Sequence, residues 1–343
     1  MIIVKKEGLV LTKTALAFES LGVINPAVIK EGKSVFFLYR ALQLNKPSTI
    51  GFCEFDGPLT ISERRTSPLL QPESDIESHG LEDPRIVKID DLYYLTYTAF
   101  DGVNAMGALA TSIDLVNFKK HGLIVPSYSF SEFKKLAECS NKLNEKYARY
   151  AHDNLLMKQG KKISIWDKDV VFFPRRINNK LYFLHRIKPD IQIAAINDIL
   201  DLTPEFWDNY LLHFQENILL TPKFDHEVSY VGGGCPPIET QYGWLLIYHG
   251  VHDSPGGYVY SACAALLDLE NPNLEIARLP YALFKPELSY ELNGLVNRVC
   301  FPTGTAIFDD TLYIYYGAAD EGIACASVSL KALVNELLGY SNT

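Results

Sequence analysis

The sequence predicts an all-β protein, a five-bladed β-propeller. Five stretches share one layout, in which a proline leads into a strand-like run, a turn and a second, aromatic-rich run: NPAVIKEGKSVFFLYR (25–40), DPRIVKIDDLYYLTY (83–97), FPRRINNKLYFLHR (173–186), PPIETQYGWLLIYHG (236–250) and FPTGTAIFDDTLYIYYG (301–317). Strand-turn-strand units that repeat along a chain must stack to bury their faces, and radial stacking closes a propeller. The prolines at 26, 84, 174, 237 and 302 lie 58, 90, 63 and 65 residues apart, which suits four-stranded blades.

Composition agrees with this class and excludes several others. A chain of 343 residues with 48% hydrophobic and 12% aromatic residues can fill a large core, and we expect one domain over 1–343. The formal net charge of −9 disfavours a nucleic-acid partner. No apolar stretch of the sequence is long enough for a membrane span, and the amino-terminal residues lack the apolar region and cleavage site of a signal peptide. Six cysteines without a CxxC pair agree with reduced thiols, so we expect a cytoplasmic protein without a membrane partner.

The long step between the second and third repeats predicts a helical insertion between blades 2 and 3, at about 129–159. Apolar residues at Phe130, Phe133, Leu136 and Ala137 follow helical spacing, and Ser131 is a candidate cap for the first turn. We expect this insertion to cover the mouth of the channel or to meet a neighbouring subunit in a homo-oligomer. Shorter helices are predicted at 204–213 and 329–338.

Polar residues gather at the ends of the strand-like runs. The proline ends carry Asn25, Asp83, Asp169, Glu239 and Thr303, and the ends of the second runs carry Arg40, Asp101, His185, Arg186, His249 and Asp320. Strand ends of this kind converge on the central channel of a propeller. The sequence therefore predicts a polar pocket lined by Asn25, Arg40, Asp83, Asp169, His249 and Asp320.

The run HGLEDPRIVKIDDLYYLTYTAFDG (79–102) carries the sharpest local signal. Glu82 and Asp83 precede a proline that fixes the backbone, and strand alternation places Asp83 and Arg85 on one face. A carboxyl group held in a partly buried pocket can act as a general acid. The alternative is a turn-initiating Asp-Pro with an ion pair at the surface.

The histidines leave more than one interpretation open. His185 and His249 are candidate general bases, metal ligands or hydrogen-bonded pocket residues. The sequence has no HxH or HExxH spacing, so no metal site is predicted. The glycines at 232–234 are interpreted as backbone that must approach the channel closely.

Six motifs in order make the chain similar to a known family. GLEDPR, YYLTYTAFDG, ATSIDLVNFKKHG (110–122), DKDVVFFPRRINNKLYFLHR (167–186), GGGCPPIETQYGWLLIYHGV (232–251) and FPTGTAIFDDTLYIYYGAAD (301–320) resemble glycoside hydrolase family 130, the β-mannoside phosphorylases and β-1,2-mannosidases. The resemblance covers about residues 22–325 and implies a five-bladed propeller that acts on a β-mannoside oligosaccharide without a cofactor.

The resemblance also implies roles for single residues. Asp83 matches the catalytic acid of an inverting mechanism, which protonates the glycosidic oxygen through the 3-hydroxyl of the mannosyl unit. The matching sugar- or anion-binding positions are Asn25, Arg40, Glu82, Lys168 and Asp320. The predicted substrate-binding set is completed by Asp101, Asp169, His185, Arg186, Tyr248, His249 and Glu291.

The choice between water and phosphate as the attacking group depends on a few positions. Asp101 and Ile113 stand where the family resemblance places arginines in phosphorylases, and Glu239 stands where a basic residue is expected. We therefore predict hydrolysis, with water activated by Glu239, or by Glu291 in its stead. The first alternative is a phosphorylase that uses inorganic phosphate as co-substrate and releases mannose 1-phosphate.

The basic residues that match phosphate-side positions favour this alternative; they are Lys168, His185 and Arg186. A second alternative is a glycan-binding propeller without catalysis, which the joint presence of the polar residues Asn25, Arg40, Asp83 and Asp320 argues against. The linkage, β-1,2 or β-1,4, stays open.

Overall fold

The strands form five antiparallel sheets, which are the five blades of a β-propeller, as predicted. The computed structural model describes residues 2–139, 142–155 and 163–341, with the backbone alone for 152–155. β1 (Lys5–Leu11) opens the chain. Blade 1 contains β2 (Gly22–Glu31), β3 (Ser34–Leu42), β4 (Thr49–Asp56) and β5 (Thr60–Arg64). Blade 2 contains β6 (Gly80–Ile89), β7 (Leu92–Phe100), β8 (Ala105–Ser112) and β9 (Lys119–Leu123).

The remaining blades follow in chain order. Blade 3 contains β10 (Lys168–Phe172), β11 (Leu181–Arg186), β12 (Ile191–Ile196) and β13 (Ile218–Leu220). Blade 4 contains β14 (Tyr230–Gly233), β15 (Ile238–Thr240), β16 (Gly243–Ser254), β17 (Gly257–Leu267) and β18 (Glu275–Arg278). Blade 5 contains β19 (Cys300–Phe308), β20 (Thr311–Ala318) and β21 (Gly322–Ser329).

The two ends of the chain meet in blade 5. β1 pairs antiparallel with β21, with Lys5 opposite Ser327, so the first strand of the chain becomes the outermost strand of the last blade. Blade 5 therefore cannot be completed without the amino-terminal segment, and this pairing closes the ring of blades.

The innermost strands of the first three blades share a bulge that contains a polar residue in the left-handed backbone conformation. Asn25, Asp83 and Asp169 have φ angles of 49°, 47° and 55°, and each lies where the strand register shifts. Asn and Asp tolerate this left-handed backbone better than other residues with a side chain. The residue type at each bulge thus has a conformational reason as well as a chemical one.

The predicted insertion between blades 2 and 3 contains two helices. α1 (Phe130–Ala137) and α2 (Glu145–Leu155) lie between β9 and β10, and the predicted residues 140–141 and 156–159 fall outside the described part of the chain. The cap of α1 is Ser129, not Ser131, because Ser129 forms a reciprocal capping box with Glu132. The other helices are α3 (Pro204–Leu212), α4 (Ser289–Leu292) and α5 (Leu330–Leu338).

Hydrophobic side chains fill the spaces between neighbouring blades. For example, Phe37 of blade 1 stacks on Phe55 at 4.2 Å and meets Tyr315 of blade 5 edge-on at 4.8 Å. Contacts of this kind hold the blades at fixed angles and so keep the inner strand ends in register with one another. No helix in the described ranges has the length and apolar character needed to cross a membrane.

Candidate functional site

A cavity of about 240 Å³ lies where the inner strands begin, at one end of the propeller axis. Polar and aromatic side chains from all five blades and their connections line it. The lining residues are Asn25, Arg40, Asp83, Trp166, Lys168, Arg186, Lys188, Tyr230, Tyr260, Val296, Val299, Phe301 and Asp320. Charged groups beside aromatic rings suit a small polar ligand with apolar faces, such as a sugar.

Asp83 sits in the wall of this cavity within a network from blades 1 and 2. Its Oδ1 accepts a hydrogen bond from Asn25 Nδ2 at 2.7 Å and lies 3.3 Å from Arg40 Nη1. Arg40 also pairs with Glu82 at 2.5 Å, so this guanidinium is shared between two carboxylates. The side chain of Asp83 is 8% exposed, which leaves it in reach of a ligand but screened from bulk water.

The carboxyl groups of Asp83 and Asp320 lie close enough for their charges to interact, and their pKa values differ. Burial alone would raise the pKa of Asp83, but Arg40, Lys168 and the hydrogen bond from Asn25 together hold that pKa below its ordinary value. Burial and the neighbouring Asp83 raise the pKa of Asp320 to about 6. Asp83 is therefore a carboxylate near neutral pH, whereas Asp320 retains a proton to higher pH.

Blade 3 supplies three cations to the wall of the cavity. Lys168 begins β10 and Arg186 ends β11, and Lys188 follows two residues later. Arg186 forms an ion pair with the buried Asp169 at 3.1 Å, and Lys188 Nζ lies 3.9 Å from the ring centre of Tyr230. Three positively charged groups around one small cavity provide the charge that an anionic ligand needs.

Two predicted lining residues, Asp169 and His249, lie behind the wall instead. His249 is fully buried, and its ring packs on Phe301 at 4.5 Å, while its Nε2 lies 3.3 Å from Arg186 Nη1. Burial, followed by the charges of Arg186 and Arg85, holds the pKa of His249 well below its ordinary value. A neutral, buried imidazole here supports Arg186, and it cannot take a proton from a ligand in the cavity.

The position of Glu239 contradicts its predicted role as catalytic base. Its carboxylate is 46% exposed and forms a bidentate pair with Arg175 at 2.7 and 2.8 Å. Glu239 belongs to β15 of blade 4, and it does not line the cavity. The proline alignment caused the error, because in blade 4 the residue equivalent to Asn25 and Asp83 is Gly233, six positions after Glu227.

Three other predicted site residues, Tyr248, Glu291 and His185, also lie away from the cavity. The hydroxyl of Tyr248 donates to Glu227 at 2.8 Å. Glu291 accepts a hydrogen bond from Tyr316 at 2.6 Å and pairs with Lys6. His185 bonds Asp167 at 2.8 Å. Strand alternation explains the errors at Tyr248 and His185, since neighbouring residues on a strand point to opposite faces. Glu291 belongs to α4 and not to a strand.

Asp101 and Ile113 do not occupy the anion side of the pocket either. Asp101 caps a turn, where its Oδ1 accepts hydrogen bonds from the backbone N–H groups of Val103 and Asn104 at 2.8 and 2.7 Å. Ile113 follows β8 and is 78% exposed. Neither side chain lines the cavity, so neither Asp101 nor Ile113 opposes the binding of phosphate there.

Sequence reasoning missed several lining residues, most of them aromatic: Trp166, Lys188, Tyr230, Tyr260, Val296, Val299 and Phe301. Lys188 lies two residues after Arg186, and Trp166 lies two before Lys168, so both could have been found by extending those motifs. Tyr230, Tyr260 and the loop residues Val296 and Val299 carry no local signal, because the fold alone brings them together.

One group away from the cavity has ligand atoms at metal-binding spacing. Atoms of His226, Glu227 and Cys263 lie within 4.8 Å of one another. Glu227 already accepts a hydrogen bond from Tyr248 and pairs with Arg278 at 3.0 Å. A metal ion would have to displace or lie beside this guanidinium, so the donor set does not favour a cation.

The chain matches, over residues 16–338, the family glycoside hydrolase 130, described as beta-1,4-mannooligosaccharide phosphorylase. Two relatives come from Thermoanaerobacter sp. strain X514. A 1,2-beta-oligomannan phosphorylase is 32% identical over 92% of this chain and 92% of the relative. A beta-1,2-mannobiose phosphorylase is 34% identical over 91% of each chain.

Solved structures agree on the architecture. The beta-1,2-mannobiose phosphorylase of Listeria innocua, in complex with beta-1,2-mannobiose, superposes with a TM-score of 0.73 at 22% identity, over 97% of this chain and 99% of that one. The family match across the chain, the relatives at above 30% identity and the cavity with its acidic and basic sides all agree. The chain belongs to glycoside hydrolase family 130.

Proposed function

We propose that this protein is a β-mannoside phosphorylase, which cleaves a β-mannoside with inorganic phosphate and releases mannose 1-phosphate. The observation that carries the proposal is the charge of the cavity wall. Lys168, Arg186 and Lys188 line the cavity that also contains Asp83. Phosphate is a doubly charged anion, and several cations at one place are what its binding requires.

The proposed chemistry assigns one proton transfer to Asp83. The protonated carboxyl group gives its proton to the leaving glycosidic oxygen while the bond from that oxygen to the anomeric carbon breaks. A phosphate oxygen forms the new bond to the anomeric carbon from the opposite face, with inversion. The remaining phosphate proton then restores the acid, so the transferred proton is accounted for without an enzymic base.

The low pKa of Asp83 is compatible with this role. Asp83 must bind a proton before it can act, and a ligand hydroxyl that displaces Arg40 from its carboxylate would raise its pKa. Binding of phosphate would act in the same direction, because its negative charge offsets the positive charge of Lys168, which lowers the pKa of Asp83.

Hydrolysis is the competing function, and Asp320 is the observation that favours it. The carboxyl groups lining the cavity, within the described residues, are Asp83 and Asp320. An inverting hydrolase needs a second carboxylate as base for water, and Asp320 has a pKa of about 6. A phosphorylase has no such need, since phosphate itself is the nucleophile.

The relatives suggest which linkage to test first. The two Thermoanaerobacter relatives are both named for β-1,2-linked mannosides. We therefore propose β-1,2-mannobiose as the substrate, with β-1,4-mannobiose as the comparison.

The experiment is product analysis with both disaccharides, with and without phosphate. We expect mannose 1-phosphate together with mannose, and no cleavage when phosphate is left out. Replacing Arg186 with alanine removes one cation from the wall and should raise the KM for phosphate about tenfold or more, whereas Arg186→Lys should lose less. Release of mannose alone, at a rate independent of phosphate, would establish the hydrolase instead.

A further inference from the structure

Helix α2 of the insertion packs against the two segments that carry the cationic and aromatic part of the cavity wall. Tyr147 and Tyr150 on one face of α2 are 1% and 8% exposed. The first contacts the segment after β11, which contains Lys188, and the second contacts the start of β14, which contains Tyr230. Neither tyrosine lines the cavity, so any effect on a ligand must pass through these segments.

Tyr147 connects α2 to the segment of Lys188. Its hydroxyl donates to the carboxylate of Asp190 and receives a hydrogen bond from Gln192 at 3.3 Å. Gln192 in turn bonds both backbone groups of Ile187, at 2.7 and 3.0 Å. These bonds fix the backbone on either side of Lys188, and all of their side chains are buried.

Tyr150 connects α2 to the segment of Tyr230. Its hydroxyl donates to the carbonyl of Ser229 at 2.8 Å, and its ring meets that of Tyr230 edge-on, with centroids 5.6 Å apart. Lys188 Nζ lies 5.4 Å from the ring centre of Tyr150 and 3.9 Å from that of Tyr230. The ammonium group is thus held between an aromatic ring in the wall and one behind it.

We propose that α2 is a brace for the anion-binding wall, and that Tyr150 is a positioning residue that sets the affinity for phosphate through Tyr230 and Lys188. A long lysine side chain loses conformational freedom when it binds an anion, and rings that already confine it reduce that loss. Removing the ring behind the wall should weaken phosphate binding and leave the mannoside contacts of blades 1 and 2 in place. The inference rests on the proposed function, because it assumes a phosphate site.

The test compares Tyr150→Leu and Tyr150→Phe with wild type. The first variant removes the ring, and the second removes only the hydrogen bond to Ser229. We expect Tyr150→Leu to raise the Kd of inorganic phosphate, measured by calorimetry, about 5- to 30-fold, and Tyr150→Phe about two- to threefold. The KM for β-1,2-mannobiose should change by less than about twofold in both. Tyr128→Phe is the matched control, since Tyr128 flanks α1 and bonds Asp208 of α3 instead.

The outcomes separate this inference from the proposed function. If wild type binds no phosphate, the proposed function fails. If wild type binds phosphate and a folded Tyr150→Leu variant binds it equally well, the brace is refuted. A parallel rise in the KM of both substrates would also refute it, because it would indicate a merely structural role. Should Tyr150→Leu not fold, the Kd of Tyr150→Phe against wild type decides the question.

Discussion

The hydrogen bonds inside blade 3 differ from those of the other four blades, and blade 3 also supplies three of the cations that line the cavity, in addition to Arg40 of blade 1. In blades 1, 2, 4 and 5 a tyrosine of the second strand donates to a buried glutamate, which also pairs with a cation of the outermost strand. We call each such set a latch; the four are Tyr39–Glu19–Arg64, Tyr97–Glu77–Lys120, Tyr248–Glu227–Arg278 and Tyr316–Glu291–Lys6. Blade 3 has His185 in the tyrosine position, where it bonds Asp167 and Tyr210 of α3.

Two consecutive positions at the end of each second strand differ in role, since the first has a structural role and the second lies on the side of the channel. The latch residue of each second strand points away from the channel, and the next residue points toward it, because side chains alternate across a strand. That next residue is Arg40, Thr98, Arg186, His249 and Gly317 in blades 1 to 5. The latch position repeats nearly unchanged, whereas the next position varies from cation to glycine, and Arg40 and Arg186 are the two of these residues that line the cavity.

The largest effect is expected from Asp83→Asn, which changes the proposed general acid. The amide keeps the shape and can still accept a hydrogen bond from Asn25, but it cannot donate a proton to the leaving oxygen. Activity on β-1,2-mannobiose should fall about 10²–10⁴-fold. A nitrophenyl β-mannoside, whose leaving group needs less protonation, should show a much smaller loss under the same assay. Equal losses on the two substrates would mean that Asp83 is not the acid.

Glu291 offers the next largest effect and tests whether latches are structural. Glu291→Gln leaves the partly buried Lys6 without its partner charge, and since breaking a fully buried ion pair costs about 3–5 kcal/mol, we expect a loss near the lower end of that range in the free energy of unfolding. Tyr316→Phe removes only one hydrogen bond of the same latch and should cost about 1 kcal/mol. Urea denaturation measures both. At temperatures where the variants stay folded, kcat should match wild type, and a lost kcat with unchanged stability would make Glu291 a catalytic base after all.

The propeller could be predicted from the sequence because the strand-turn-strand motif repeats along the chain. The cavity could be predicted only in part, because most of its lining residues do not recur from one repeat to the next. Asn25, Asp83 and Arg40 stand at equivalent places in motifs that recur, so their convergence followed from the repeat. Glu239 was misplaced because the proline in blade 4 is not equivalent to those in blades 1 and 2. The spacing of six residues from Glu19 to Asn25 and from Glu77 to Asp83 recurs from Glu227 to Gly233, and this latch spacing would have given the correct register. Tyr230 and Tyr260 have no such signal, since they come from β14 and β17, two strands of blade 4 that are not adjacent in the sheet, and only the folded blade brings their hydroxyl groups together.

Asp320 should make the stability of the protein depend on pH. Its pKa is raised to about 6, so between about pH 4 and 6 the folded protein binds a proton that the unfolded chain has lost. The free energy of unfolding from this group therefore falls as pH rises through that window. Asp320→Asn mimics the protonated form, so its free energy of unfolding should not show this fall. The difference in the free energy of unfolding between Asp320→Asn and wild type should therefore be about 1–3 kcal/mol more favourable to the variant above pH 6 than at pH 4. Urea denaturation at the two pH values checks this, and a difference independent of pH would show that Asp320 titrates normally.

The smallest effect is expected at Glu239, the residue of blade 4 that the sequence placed in the chemistry and the structure places at the opposite end of the blade. Its pair with Arg175 is exposed on both sides, at 46% and 39% of the side chains, so water competes for each charge. Exposed pairs contribute about 0.2–1 kcal/mol, and bidentate geometry puts this one toward the upper part of that range. Glu239→Gln should lower the free energy of unfolding by less than about 1 kcal/mol and leave kcat and the KM for both substrates within about twofold of wild type. Arg175→Gln and the double variant complete a cycle that isolates the pair. A loss of kcat in Glu239→Gln approaching that of Asp83→Asn, with normal stability, would mean that Glu239 takes part in catalysis. The assignment of the active site to the cavity around Asp83 would then be wrong.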